Sequence, residues 1–199
     1  LTLAALGLAF FVSLATARRV TTPLRSLVRA SERLGRGDYS QAMDHTQRED
    51  EIGELARSFD HMRLNIASNE DAIRRLAYWD PLTGLPNRAQ FRDAVQAAIG
   101  ATATNATPVA VVMLDLDRFK HVNDVLGYAF GDRLLKGVAG RLAVHDLGPG
   151  ALVARLSGDE FALLLPGSDA VQAMVVAEGV AEAFHLPLKL DDHTVDVAA

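Results

Sequence analysis

The chain contains no cysteine. That excludes a disulfide framework and a thiolate metal centre, so any metal must be held by oxygen or histidine; the lack of thiols also suits a reducing compartment. A basic excess is missing as well. Residues 18–79 carry 11 Lys/Arg against 10 Asp/Glu, and residues 80–199 carry 9 against 15. An acidic second half argues against a nucleic-acid groove. Charge of either sign is absent from residues 1–17, after which Arg18-Arg19 follow directly. What remains, 199 residues at 49% hydrophobic, suits one or two domains with a packed core and carries no sign of disorder.

The uncharged run is 17 residues long, at the lower edge of what spans a bilayer as a helix, and the arginine pair after it fits the positive-inside pattern. A transmembrane helix over residues 1–17 is the expectation. The alternative is a secretory signal, because Ala15-Thr16-Ala17 resembles a small-residue cleavage site, although no basic segment precedes the run. The chain opens on Leu1 rather than Met and reads as the continuation of something longer. At the other end, residues 193–199 read as the start of a strand, so the fold is expected to be incomplete at its C-terminus.

Two amphipathic helices joined by a polar connector come next. The first puts Leu24, Leu27, Val28 and Leu34 on one face, begins near Pro23 and stops at Gly35 and Gly37. The second places Ile52, Leu55, Phe59, Met62 and Ile66 at alternating steps of three and four, and the seam continues through Asn69, Ile73 and Leu76. That is a coiled-coil pattern, with Asn69 as a polar register-fixing position.

Beyond the seam, residues 87–99 read as a helix, 100–108 as a small-residue loop, 109–114 as a buried strand, 130–144 as a helix and 171–184 as another. Residues 151–156 and 161–165 read as two strands of a hairpin, with Ser157-Gly158 as its flexible turn. Strands alternating with helices and one antiparallel hairpin imply an α/β sheet with helices on its faces. Asp159 and Glu160 fall at the hairpin tip, and Asp115 and Asp117 at the end of the 109–114 strand. Two strand ends that bring carboxylates together make a site for a hard cation such as Mg²⁺, which takes oxygen ligands; ordinary solvated turn chemistry is the alternative. Gly158, without a side chain, would let the backbone approach a phosphate closely.

Three ordered blocks carry a resemblance. Ser157-Gly158-Asp159-Glu160-Phe161 is similar to the signature of the GGDEF family of diguanylate cyclases. Asp80-Pro81-Leu82-Thr83-Gly84-Leu85-Pro86-Asn87-Arg88 resembles the family's opening motif, and Asp115-Leu116-Asp117-Arg118-Phe119-Lys120, with Asn123-Asp124 and Gly127 to Gly131-Asp132, matches in order and spacing. Ser157 stands where the family has its first Gly, and Tyr128 where a His is common. Upstream, Pro23-Leu24, Gly37-Asp38 and Asp50-Glu51-Ile52-Gly53-Glu54-Leu55 resemble a HAMP domain.

The resemblance implies a transmembrane helix (1–17), a HAMP domain (18–67), a coiled-coil linker or signalling helix (68–79) and a truncated α/β, palm-like, nucleotidyl cyclase-like GGDEF domain (80–199). It implies a signal-regulated diguanylate cyclase at the inner (cytoplasmic) membrane of a bacterium, with the HAMP and GGDEF parts cytoplasmic. The alternative is a catalytically silent module that binds GTP and regulates a downstream EAL-type phosphodiesterase domain. The catalytic residues would be Asp159 and Glu160. Mg²⁺ or Mn²⁺ would be ligated by Asp115, Asp159 and the backbone carbonyl of Leu116. The substrate-binding residues would be Phe119, Lys120, Asn123, Asp132 and Gly158, with Asn123 and Asp132 reading guanine. Taken alone, Asn123 and Asp132 suit helix capping and Lys120 a solvated lysine. Arg88 and Asp80 would hold the opening loop. The implied partners are GTP, the membrane, a second copy joined through HAMP and coiled coil, an N-terminal sensor and a C-terminal EAL domain, with no nucleic acid. Many members carry an Arg-x-x-Asp product-inhibition motif before the signature; Gly148-Pro149-Gly150-Ala151 stands there instead, so no inhibitory site is expected.

Overall fold

The sheet that organises the second half is built around one strand with no exposed interior residue. In this computed structural model, which describes residues 2–105, 107–190 and 193–195, the chain divides into two compact units, 1–73 and 74–199.

In the first unit, α1 (Thr2–Thr16) passes through a five-residue π-helical turn (Ala17–Thr21) into α2 (Thr22–Gly35). The residues flanking the π turn are themselves right-handed helical, so the helix is not interrupted. Among the described residues no helix is long and apolar enough to cross a membrane. The helix expected over residues 1–17 is seen as α1 from Thr2 to Thr16, and the uncharged stretch ends at Arg18.

α2 ends where Gly37 turns left-handed at φ +80°. The connector then closes on α3 (Glu51–Tyr78) through polar contacts. The Asp60 carboxylate accepts from the Met43 backbone at 3.1 Å and from Arg63 at 2.8 Å, and Arg63 also donates to the Tyr39 carbonyl at 2.8 Å. Asp50 caps α3 by accepting from the Gly53 backbone at 3.1 Å, and the Arg48 guanidinium paired to it holds its carboxyl down at about 2. Gly53 has a steric reason: a Cβ there would stand 2.0 Å from the Arg48 carbonyl oxygen. The seam expected along α3 is present but bare in the single chain. Leu55, Met62, Ile66, Ile73 and Leu76 are exposed by between 37% (Ile66) and 74% (Leu76).

The second unit begins within the last turn of α3. A loop leads into α4 (Arg88–Asn105), followed by β1 (Val109–Asp115), α5 (Phe119–Leu126), α6 (Tyr128–Val144), β2 (Leu152–Ser157), β3 (Glu160–Pro166) and α7 (Ala170–Phe184). A short hairpin, β4 (Leu188–Leu190) with β5 (His193–Val195), ends the described chain. The three-stranded sheet has the order β1-β3-β2, all antiparallel. On central β3, Phe161, Leu163 and Leu165 join Leu134, Leu135, Val138 and Leu142 of α6 and Val180 and Phe184 of α7 in one core; Ala162 and Leu164 join Phe91 of α4 in another. The period-two alternation thus serves helices on both faces, which is why β3 reads as a continuous apolar run.

One boundary differs from expectation. α4 continues through Gly100 to Asn105 instead of giving way to a loop, because an interior glycine costs a helix only about 1 kcal/mol. The segment from Phe119, for which no element was expected, opens a helix of its own. The strand expected over residues 193–199 is seen as His193–Val195; positions 196–199 lie outside the described residues.

Candidate functional site

The ends of β1 and β3 create the site. Antiparallel pairing sets Asp115, the last residue of β1, directly opposite Glu160, the first of β3. Like charges in cross-strand register repel, so the pairing is a cost the local structure bears. The effect is visible on Asp115, whose carboxyl is pushed above its ordinary 3.8 chiefly by the charge of Asp159, then by desolvation, Glu160 and Asp117. Asp115, Asp159 and Glu160 are therefore brought together, with Asp117 at the margin.

Asp159 owes its position to an irregular hairpin. The register of β2 shifts between Arg155 and Ser157, a bulge that re-aims the strand end, and Gly158 takes a left-handed φ of +44°. Arg155 grips the turn from behind: Nε donates to the Gly158 carbonyl at 3.0 Å and Nη2 to the same oxygen at 2.6 Å. The Ser157 hydroxyl donates to Glu160 Oε2 at 2.5 Å.

After β1 the chain buries the Leu116 side chain, which is 2% exposed, and turns through Arg118 at φ +57° into α5. The Leu116 carbonyl accepts a long bond from the Phe119 backbone at 3.3 Å, so the two backbone groups expected to serve metal and phosphate lie against each other here. Lys120 is exposed. Asn123 and Asp132 are drawn to one corner, where α5 meets α6. The Asn123 side chain lies against Gly131, next to exposed Asp132, and a Cβ on Gly131 would come within 1.9 Å of Asn123 Oδ1. That oxygen is buried and has no hydrogen-bond partner. It is not spent on capping α5, so the capping alternative finds no support in this oxygen.

Among the described residues no three His, Cys, Asp or Glu side chains converge tightly enough to enclose a metal by themselves. A donor set of two carboxylates and a backbone carbonyl is compatible with that, since Mg²⁺ usually takes one or two carboxylates and completes its shell with substrate phosphate and water. The mutual repulsion acting on Asp115 is the field a divalent cation would relieve.

Sequence reasoning missed two residues. Arg155 falls within the strand expected over 151–156 and no role was expected of it; the signal was a lone long cation near the end of an otherwise apolar strand, beside a glycine turn. It is Arg155, at 3.0 Å, that pairs with Asp80 in the opening loop. The second is Ser157, whose contact with Glu160 no spacing rule announces.

Sequence profiles agree with this geometry: the profile described as "Diguanylate cyclase, GGDEF domain" matches residues 77–199. The chain belongs to the GGDEF family. A HAMP profile matches residues 15–68, so a helical HAMP region precedes a GGDEF domain with the family's palm-like arrangement of sheet and helices. The diguanylate cyclase TpbB of Pseudomonas aeruginosa (strain UCBPP-PA14) is 32% identical over 200 residues, covering 96% of this chain and 46% of that protein. The chain thus spans about half the length of the curated relatives it matches first. The solved GGDEF domain of TpbB from strain PAO1 superposes with a TM-score of 0.57 at 39% identity over 60% of this chain and 70% of that one. The coiled coil and GGDEF domain of DgcB from Caulobacter crescentus, solved with c-di-GMP, gives 0.63 at 27% identity over 73% and 78%.

Proposed function

We propose that this GGDEF chain is the transmitter and catalytic part of a membrane-bound diguanylate cyclase, which joins two GTP molecules into cyclic di-GMP with release of two pyrophosphates. The observation that carries the reading is the convergence of Asp115, Asp159 and Glu160 at the paired ends of β1 and β3, inside the family signature.

Each GGDEF domain binds one GTP, and the 3′-hydroxyl of each nucleotide attacks the α-phosphorus of the other. Asp115, Asp159 and the Leu116 carbonyl would hold Mg²⁺ or Mn²⁺. That ion, when bound, neutralises charge on the triphosphate and orients the leaving pyrophosphate. Glu160, tethered by Ser157, is poised to accept the 3′-hydroxyl proton or to share the metal. The Lys120 backbone N–H, and that of Phe119 once its long bond to the Leu116 carbonyl opens, would serve the β and γ phosphates, and Gly158 would permit their close approach. Asn123 and Asp132 read guanine, whose ring N–H and exocyclic amine suit a carboxylate acceptor.

One domain holds half a reaction, so the rate depends on bringing two copies face to face. The bare α3 seam supports a homodimer through residues 18–67 and the linker 68–79, with 80–199 as the catalytic domain. HAMP domains occur in membrane-bound signalling proteins. Exposed Leu3, Phe10, Phe11 and Leu14 on α1, followed by Arg18-Arg19, support a membrane-entering end with the remainder in the cytoplasm.

The test is product formation from GTP and Mg²⁺ by the full-length protein and its Asp159→Ala variant. Cyclic di-GMP from the first and none from the second is expected, with an initial rate unaffected by added product, since Gly148-Pro149-Gly150-Ala151 offers no charge to clamp it. No product from either, with GTP still bound, would leave a GTP-responsive regulator of a further domain.

A further inference from the structure

One carboxylate of the site is engaged from its far side. β3 is the central strand of its sheet, and its first residue, Glu160, has a cross-strand neighbour on each flank: Asp115 on β1 and Ser157 on β2. Directly opposed residues of adjacent strands project to the same face, so the three form a row of hydroxyl, carboxylate and carboxylate across the sheet. The bulge in β2 creates this row. Arg155 stands opposite Phe161, so regular pairing would set Leu156 opposite Glu160; the extra residue sets Ser157 there instead.

The two neighbours act on Glu160 in opposite directions. Asp115 repels it, whereas Ser157 Oγ donates to Glu160 Oε2 at 2.5 Å, a bond of the short, charge-assisted kind. The outcome registers on Asp115. Opposed residues have Cβ atoms only about 5 Å apart. Yet the charge that does most to raise the Asp115 carboxyl is that of Asp159, outside the paired register, and Glu160 comes third after desolvation. Among the described residues, no three His, Cys, Asp or Glu side chains converge on one point. Both observations follow if the hydroxyl draws the Glu160 carboxylate toward β2 and off the pair formed by Asp115 and Asp159.

We propose that Ser157 is a positioning residue that competes with the divalent ion for Glu160: while the hydroxyl holds Oε2, the ion has two carboxylates and a carbonyl, and is held more loosely than three carboxylates would hold it. This rests on the reading of Asp115 and Asp159 as the ion's ligands. Glycine, the family's usual residue at this position, has nothing to donate, so the competition belongs to this chain's serine. It has a use. Mg²⁺ ordinarily takes one or two carboxylates and fills its shell with phosphate and water, so withholding the third carboxylate leaves places for the triphosphate and makes ion binding depend on nucleotide.

The experiment titrates Mn²⁺ into the full-length protein, alone and with α,β-methylene-GTP, and reads bound ion from the loss of the free ion's electron paramagnetic resonance signal. Asp159→Ala is the blank for ion held by nucleotide or elsewhere. Ser157→Ala is expected to bind Mn²⁺ about threefold tighter or more than wild type, as the release of one hydrogen bond allows, and to gain less affinity from added nucleotide. Ser157→Thr, which keeps the hydroxyl, behaves as wild type. A serine that merely stabilised the turn would loosen the ion on removal, so the direction of the change separates the two roles. Ser157→Ala that binds Mn²⁺ no tighter than wild type overturns the proposal, as does Ser157→Thr that matches Ser157→Ala. Should Ser157→Ala not fold, Ser157→Gly decides in the same way. Tighter binding by the variant with no cyclic di-GMP formed from GTP by the wild type leaves the competition standing and removes the cyclase reading; no wild-type ion above the blank in either titration removes both.

Discussion

Gly131 lacks a side chain because of Asn123. The ideal Cβ position stands 1.9 Å from Asn123 Oδ1, and 3.2 Å from the far carbon of the Phe119 ring, so even a methyl group must drive the amide out of its place. Gly131→Ala is therefore expected to raise the Kd for GTP about tenfold, roughly 1.4 kcal/mol, while GTP-independent stability falls by less, since the displaced amide has no hydrogen-bond partner to lose at Oδ1. Isothermal titration with GTP, set beside a thermal melt without it, checks both halves; unchanged affinity would remove Asn123 from the base-reading corner. Asp80 yields a prediction of another kind. Burial pushes its carboxyl up, but the Thr83 hydroxyl and backbone together with the Arg155 guanidinium outweigh that and hold it below its ordinary 3.8. A group lowered on folding contributes stability that is fully present above the unfolded value and is lost as pH falls through the folded one. Wild type is thus expected to lose more stability than Asp80→Asn on acidification from pH 5 to below 3.8, a difference that denaturant melts at the two pH values read directly. Parallel losses would mean that the pair contributes nothing net.

At the level of elements, legibility followed how local the cause was. β3 could be read because five consecutive apolar residues, from Phe161 to Leu165, are all buried in a strand covered on both faces. The seam of α3 could be read because its three-four spacing is a property of the helix alone. The extent of α4 could not: small residues beyond Gly100 look like loop composition, and only the helix they prolong says otherwise. α5 was hidden for a similar reason. It is short and begins behind a left-handed Arg118, a conformation that sequence does not announce in an arginine. At the site, the carboxylates were legible because turns advertise them. The Arg155 bridge to Asp80 was not, because the two partners are 75 positions apart and only the closed fold brings them together.

For the whole molecule, the proposed reaction, which needs a second copy, has to be reconciled with a helix whose apolar seam is bare in the single chain. A parallel pairing of two α3 helices answers both, because burying Leu55, Met62, Ile66, Ile73 and Leu76 against their counterparts removes apolar surface from water and holds two catalytic domains at the millimolar effective concentration of a short tether. Breaking the seam should therefore change the order of the reaction and leave each site's chemistry intact. Met62→Asp with Ile73→Asp is the variant to make, since two like charges facing their own copies oppose pairing and neither residue belongs to the unit that carries the carboxylates. The expected result is a monomer by sedimentation, with specific activity that rises in proportion to protein concentration, where the wild type's stays constant above its dimerisation range. At micromolar protein the loss should be about a hundredfold or more, the ratio of free to tethered concentration. Specific activity that is lost yet remains independent of concentration would mean that the seam serves something other than bringing two GTP-loaded domains together.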